Sequence, residues 1–311
     1  MATLKGKDIL HGNQFSKKEI DAIIKMASNF EKELKKKDSL NRLKGKILAT
    51  LFFEASTRTR LSFETAMLRL GGGVISMASA ESSSAAKGET VADTARTVDQ
   101  YADIIVIRHP RIGSAKEAAD AAKAPVINAG DGAGQHPTQA LLDIYTIQKE
   151  LGSLKNLKVS LMGDLKNGRT VHALVELLSL FGASLYFVSP DSLRMPEEIT
   201  TQLKQKGIKV EETGEMKEAA LASDLIYMTR IQKERFQDFS EYERVRGSYI
   251  ISEDFLRGLN KKMTIMHPLP RVDEISPEVD VYPGAAYFRQ VRNGVFIRMA
   301  LLTMVLGKAV S

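Results

Sequence analysis

Ser56-Thr57-Arg58-Thr59 is a run of four side chains that can each bind a phosphate, placed just after an apolar run that ends at Phe52. A helix that starts there exposes unpaired N–H groups and a partial positive charge. Hydroxyls and a guanidinium added to that end make a phosphate cradle. A lone Ser-Thr pair would be an ordinary helix cap, but four competent side chains in a row point to an anionic ligand. Two further groups follow later apolar runs. Arg108-His109-Pro110 comes after Ile104–Ile107, and a glycine-rich stretch from Asn128 leads to His136 and Gln139 at the start of another helical segment. Glycines there let backbone approach a ligand closely.

A second set has a different taste. Gly163-Asp164-Leu165-Lys166-Asn167-Gly168-Arg169-Thr170 has the glycine spacing of a P-loop, with Arg169 where that motif needs Lys. Arg169 is therefore expected to meet a carboxylate at a helix start, not a nucleoside triphosphate. Arg230 and Gln232 follow the run ending at Thr229. His267-Pro268-Leu269-Pro270-Arg271 follows the last such run, and its two prolines predict an extended backbone whose carbonyls face a ligand. His267 reads either as part of that site or as a packed, hydrogen-bonded histidine. His172 falls inside a helical segment, and His11 is isolated. The first set suits a phosphorylated acyl donor and the second a dicarboxylic acceptor, facing each other across a cleft.

Positioning such groups requires strands that end beside helix starts. Short β-rich runs are predicted at Lys46–Phe52, Val74–Met77, Ile104–Ile107 and Val126–Ala129. Further runs lie at Lys158–Met162, Ser184–Val188, Leu225–Thr229, Tyr249–Ser252 and Thr264–His267. Amphipathic segments lie between them. Phe63, Ala66, Met67 and Leu70 follow helical spacing, and Gly71-Gly72-Gly73 ends that helix. Ser114 with Glu117 reads as a capping box. Alternating strands and helices predict an α/β fold of two doubly wound domains, each a mainly parallel sheet flanked by helices. The expected division is 1–136 plus 293–311 against 137–292, with the apolar helix Val295–Leu306 folding back onto the first domain.

Composition limits the alternatives. At 311 residues the chain exceeds the size at which one core usually stops growing. The net charge of +6 is spread among interspersed lysines and glutamates, and with Trp absent base-stacking platforms are not expected, so nucleic acid is not a predicted partner. Cysteine is absent, which removes disulfides, thiolate catalysis and Cys-bound zinc. The five histidines lack metal-ligand spacing, so neither a metal nor a cofactor is expected. No run approaches a membrane span, and Met1 to Asp8 holds no apolar signal core, so a cytoplasmic location is the expectation.

Taken in order, Ser56–Arg60, Lys87-Gly88-Glu89-Thr90, Arg108-His109-Pro110, His136–Gln139, Gly163–Thr170, Thr229–Arg235 and His267–Arg271 resemble the aspartate carbamoyltransferase family over essentially the whole chain. The Pro268-Leu269-Pro270-Arg271 stretch is of the aspartate type, whereas the ornithine-type relatives place a Cys beside the corresponding His. The resemblance implies carbamoyl transfer from carbamoyl phosphate to L-aspartate in pyrimidine biosynthesis. It implies that Ser56, Thr57, Arg58 and Thr59 bind the phosphate and that Arg108 bridges phosphate and carbonyl. Thr59, Arg108 and His136 would stabilise the oxyanion, while Gln139 and the backbone at Pro268 and Leu269 hold the carbamoyl amide. Arg169, Arg230 and Gln232 would hold the aspartate carboxylates. It further implies a homotrimer in which Ser83 and Lys87 reach into a neighbour's site, Lys87 touching aspartate and taking part in catalysis, and it admits a separate regulatory chain. Asn167 stands where members often carry Tyr, so a closure contact through that ring is not expected. The rivals are transfer to another amine, a non-enzymatic binding module and a P-loop nucleotide enzyme.

Overall fold

The computed structural model describes residues 4–81, 84–132, 134–236 and 238–307. The chain divides into two compact units, one running to Tyr145 and resuming at Val291, the other spanning Thr146–Gln290. The first unit holds strands β1 (Ile47–Phe52), β2 (Gly73–Met77), β3 (Ile104–His109) and β4 (Val126–Asp131) in one parallel sheet of order β2-β1-β3-β4. The second holds β5 (Lys158–Met162), β6 (Ser184–Val188), β7 (Val210–Thr213), β8 (Leu225–Met228) and β9 (Thr264–Met266) in a parallel sheet of order β7-β6-β5-β8-β9. The helices are α1 (Lys17–Glu33), α2 (Thr57–Arg69), α3 (Val91–Val98), α4 (Ser114–Ala121), α5 (Pro137–Leu151), α6 (Arg169–Ser179), α7 (Glu197–Gln205), α8 (Met216–Ala222), α9 (Phe239–Val245), α10 (Glu253–Leu259) and α11 (Tyr287–Val305). The chain leaves the first unit within α5 and returns to it within α11. The α/β class with two parallel sheets is as the sequence predicts.

The central strands are buried on both faces, which is why they read as unbroken apolar runs. Leu48, Ala49 and Phe52 of β1 and Val159, Leu161 and Met162 of β5 are fully buried. The edge strand β7 is different. Its sequence, Val210-Glu211-Glu212-Thr213, has two exposed glutamates at its centre, so it carries no apolar signal and escapes a hydrophobicity-based reading. The converse error is Tyr249–Ser252, which is apolar because it packs in the core but forms only one bridge, Ile251 to Ile275. The predicted capping box at Ser114 is also not formed. Gly113 takes a left-handed φ of +84° at the cap position, so Ser114 lies one residue inside α4. Its hydroxyl turns back to donate to the Arg111 carbonyl (2.8 Å), and Glu117 pairs with Arg111 instead. The stop of α2 is as expected. Phe63, Ala66, Met67 and Leu70 are fully buried, and Gly71 leaves the helix with φ +78°.

Each sheet has one place where neighbouring strands send their following chain in opposite directions. In the first it lies between β1 and β3, and in the second between β5 and β8. A crevice forms there because no crossover connection covers the strand ends. At the second switch point the strand ends are pulled tightly together. Thr229 N–H donates to the Met162 carbonyl at 2.8 Å, and Gly163, at φ +108°, passes so close that an added Cβ would lie 2.1 Å from the Thr229 carbonyl oxygen. Only glycine meets both demands. Gly163→Ala is expected to destabilise the protein by at least about 2 kcal/mol, read as a fall of at least about 4 °C in the thermal midpoint. An unchanged midpoint would contradict this packing.

Candidate active site

The first switch point carries anion-binding chemistry. Ser56 sits in extended backbone immediately before α2, and its hydroxyl makes no capping bond within the helix. Thr57 and Arg58 are exposed on the first turn and Thr59 is buried. Arg60, next along, is spoken for. It lies 3.7 Å from Glu64 and 3.3 Å from the Ser76 hydroxyl, and Glu64 also accepts from Thr50 at 3.0 Å. That polar cluster ties α2 to β1 and β2, so Arg60 is an anchor of the helix, while Arg58 stands exposed on its first turn.

Arg108 belongs to the strand itself, because β3 continues to His109 and does not end at Ile107. It pairs in register with Phe52, and its carbonyl accepts from the Phe53 N–H at 2.8 Å. This pairing sets Arg108 beside the β1–α2 junction. Its side chain is 11% exposed, its guanidinium donates to Glu54 at 2.6 Å, and its Nε is buried with no hydrogen-bond partner among the described residues. A buried guanidinium donor of this kind favours an anion nearby. The following His109 is structural. It packs against the Phe53 ring at 4.9 Å and accepts the Arg111 N–H through Nδ1 at 3.0 Å. Burial holds it below the ordinary histidine value, so it is neutral at pH 7.

The glycine-rich turn after β4 is braced by Asp131, which accepts the Gly113 and Gln135 N–H groups, each at 2.9 Å. That brace delivers His136 and Gln139, both buried, to the first turn of α5. The Gln139 side-chain amide donates to the buried Asp143 one turn later, at 2.9 Å. Lys87 ends a short exposed 3₁₀ turn, Ser84–Lys87, beyond the edge strand β2. Ser83 lies outside the described residues.

The second switch point carries carboxylate-seeking groups. The loop after β5 wraps around the fully buried Asp164, which accepts the Asn167 N–H at 2.9 Å and its side-chain amide at 3.2 Å. This brings Arg169 to the first position of α6. His172 Nε2 meets the Leu165 carbonyl at 2.7 Å, and burial lowers its pKa, so it too is a structural histidine. From the loop after the neighbouring β8, Gln232 donates to the Asn167 carbonyl at 3.3 Å, joining the two loops. Arg230 makes two parallel bonds to Glu234. The carboxylate pushes the guanidinium pKa up and is itself pushed down by Arg230, a consistent pair. Both groups are partly exposed, so the pair orients Arg230 more than it stabilises the fold.

The Pro268-Leu269-Pro270 segment corrects the sequence reading. It is not extended: Leu269 has φ +56°, a left-handed conformation for a non-glycine residue. His267 holds it there. Its Nδ1 accepts the Leu269 N–H at 2.8 Å while Nε2 meets the buried Glu274 at 2.6 Å. His267 is thus the packed, hydrogen-bonded alternative. Glu54, Asp131, Asp143, Asp164, Glu234 and Glu274 all escape a motif-based reading because each acts through a donor elsewhere. The only signal for Asp143 and Glu234 is their spacing four residues beyond Gln139 and Arg230. Among the described residues no cluster of His, Cys, Asp and Glu could hold a metal ion, and no helix is long and apolar enough to cross a membrane.

Residues 7–149 match the family model for the aspartate/ornithine carbamoyltransferase carbamoyl-P binding domain, and residues 155–305 match the model for the Asp/Orn binding domain. The chain is 54% identical to the aspartate carbamoyltransferase catalytic subunit of Thermococcus onnurineus, over 97% of this chain and 98% of that one. It superposes on the aspartate transcarbamoylase of Trypanosoma cruzi in complex with carbamoyl phosphate and aspartate, with a TM-score of 0.93 and 46% identity over 98% of each chain. The catalytic subunit of M. jannaschii aspartate transcarbamoylase gives a TM-score of 0.89 at 52% identity, covering 96% of this chain and 97% of that one. With both switch points furnished as described and likeness running along nearly its full length, the chain belongs to the aspartate/ornithine carbamoyltransferase family.

Proposed function

We propose that the chain transfers the carbamoyl group of carbamoyl phosphate to the amine of L-aspartate, giving N-carbamoyl-L-aspartate and phosphate in pyrimidine biosynthesis. The observation that carries this is the contrast between the two switch points. One presents a helix start with Arg58 and the half-buried Arg108; the other presents Arg169 and a carboxylate-oriented Arg230. The first is chemistry for a phosphate, the second for carboxylates. The first unit is accordingly assigned to carbamoyl phosphate and the second to aspartate.

In this reading Ser56, Thr57, Arg58 and Thr59 bind the phosphate at the start of α2. The aspartate amine attacks the carbamoyl carbon, and the carbonyl oxygen gains negative charge. Thr59, Arg108 and His136 donate to that oxygen. Gln139 and the backbone of Pro268 and Leu269 hold the carbamoyl amide, while Arg169, Arg230 and Gln232 hold the aspartate carboxylates. The C–O bond to phosphate then breaks, and the departing phosphate takes the proton from the amine, so no side-chain base is required. Catalysis rests on positioning and charge stabilisation. The active assembly is a homotrimer in which Ser83 and Lys87 serve a neighbouring chain's site, Lys87 contacting aspartate.

Arg58→Ala is expected to lower kcat at least about 100-fold while leaving the thermal midpoint within a few degrees. Near-normal turnover would remove Arg58 from the site. Mixing inactive Lys87→Ala chains with inactive Arg58→Ala chains is expected to restore activity, because a mixed trimer assembles one site with both residues intact. Absence of recovery, with subunit exchange shown by native mass, would refute the shared site.

A further inference from the structure

A carbamoyl group and an acetyl group have the same shape, and phosphate-binding donors cannot tell them apart. The difference is the amide N–H, which only an acceptor can recognise. Most groups proposed for the first unit's site meet the phosphate or carbonyl oxygens as donors: hydroxyls, guanidinia and helix N–H groups. The Gln139 side chain, proposed beside the Pro268 and Leu269 backbone to hold the carbamoyl amide, has a donor end and an acceptor end, and which end meets the ligand depends on what holds the other.

The structure shows what holds it. Gln139 Nε2 donates to Asp143 Oδ1 at 2.9 Å, one helical turn further along α5, with Asp143 fully buried and Gln139 9% exposed. A carboxylate only accepts, so it takes the amide's donor end and leaves Oε1 for the ligand. The carboxylate lies within the electrostatic reach of Arg298 of α11. That guanidinium is buried, donates to the Ser62 hydroxyl on α2 at 2.9 Å, and stacks over the Phe63 ring at 5.0 Å. Burial pulls the Arg298 pKa down to about 10, against the pull of Asp143, which still leaves it charged at neutral pH.

We propose that Asp143 is a positioning residue that sets the donor specificity: by claiming the Gln139 amide N–H it turns Gln139 into an obligate acceptor for the carbamoyl N–H, and so selects a carbamoyl over an acetyl donor. This rests on the reading of Gln139 given above. Asp143→Asn keeps the shape but supplies one acceptor oxygen. Its new NH₂ can donate to Gln139 Oε1, which the carboxylate could not do. Gln139 then reverses and presents its NH₂ to the carbamoyl NH₂, a donor against a donor.

The test compares wild type, Asp143→Asn and Gln139→Ala in three measurements: KM for carbamoyl phosphate, and inhibition constants for acetyl phosphate and inorganic phosphate. Asp143→Asn is expected to raise KM for carbamoyl phosphate at least about tenfold, while both inhibition constants change less than about threefold. If all three weaken together, or if none changes, the positioning role is overturned. Gln139→Ala separates the two failures. If it leaves KM unchanged, the role assigned to Gln139 itself is wrong. If it raises KM and Asp143→Asn does not, only the present proposal falls. Should Asp143→Asn not fold, hydrogen exchange of the wild-type Gln139 side-chain amide decides: slow exchange in the free enzyme supports the bond to Asp143, and fast exchange overturns it.

Discussion

The pairing of β1 with β3 in one sheet and of β5 with β8 in the other governs the rest of the structure. In a parallel sheet every strand delivers its carboxyl end to the same edge, and helices cover that edge except where the winding reverses. Two residues of register then decide the chemistry. Phe52 opposite Arg108 sets a guanidinium beside the chain that carries Ser56 to Thr59. Met162 opposite Met228 sets the Asp164 loop beside Arg230 and Gln232. A slip of one residue would turn Arg108 to the opposite face of the sheet, since strand side chains alternate. Parallel pairing of buried, β-branched strands makes such a slip costly, because every apolar side chain would move with it.

Concentrating cations at two crevices has an electrostatic cost that carboxylates offset. Arg108 has Glu54, Arg230 has Glu234, and Arg298 has the field of Asp143. These pairs are not equivalent. Arg230 and Glu234 are partly exposed and contribute little to stability, so the value of the pair lies in holding a planar donor at a fixed angle. Arg298 and Asp143 are buried, where each charge depends on the other's field because it cannot be solvated. Evolution of such a buried pair toward apolar side chains would stabilise the fold more cheaply. Its presence beside Gln139 and against Ser62 and Phe63 of α2 fits a positioning role better than a structural one.

Most of the fold was legible because central parallel strands are apolar throughout and helix starts carry hydroxyls. The limits of that legibility were physical. Val210–Thr213 is a strand through edge hydrogen bonds to β6, not through apolar content. Tyr249–Ser252 is apolar through burial, without a ladder. Proline spacing around Leu269 says that the chain turns away from a helix. It does not say that His267 and Glu274 hold Leu269 in a left-handed conformation. Donors were legible at the site because arginines and hydroxyls follow strands in characteristic order. Acceptors were not, since Asp143, Asp164 and Glu274 act only through the residues they hold.

That asymmetry has a chemical consequence. A pocket of donors recognises charge: it binds any phosphate, and it stabilises any oxyanion that forms within reach. It does not recognise which acyl group the phosphate carries. Rejecting a near-isostere requires a group that is left unsatisfied by the wrong ligand, and an oriented acceptor in a buried site is such a group. An amide side chain alone cannot serve, because it turns over to suit either ligand. Fixing its orientation takes a partner that only accepts, itself held by a partner that only donates. Asp143 is that accepting partner behind Gln139, in the field of Arg298, which donates to Ser62 on the helix that Ser56 to Thr59 open. The proposed acceptor at Gln139 and the helix that Ser56 to Thr59 open thus share a buried guanidinium nearby, which donates to Ser62 on that helix and lies in the field of Asp143.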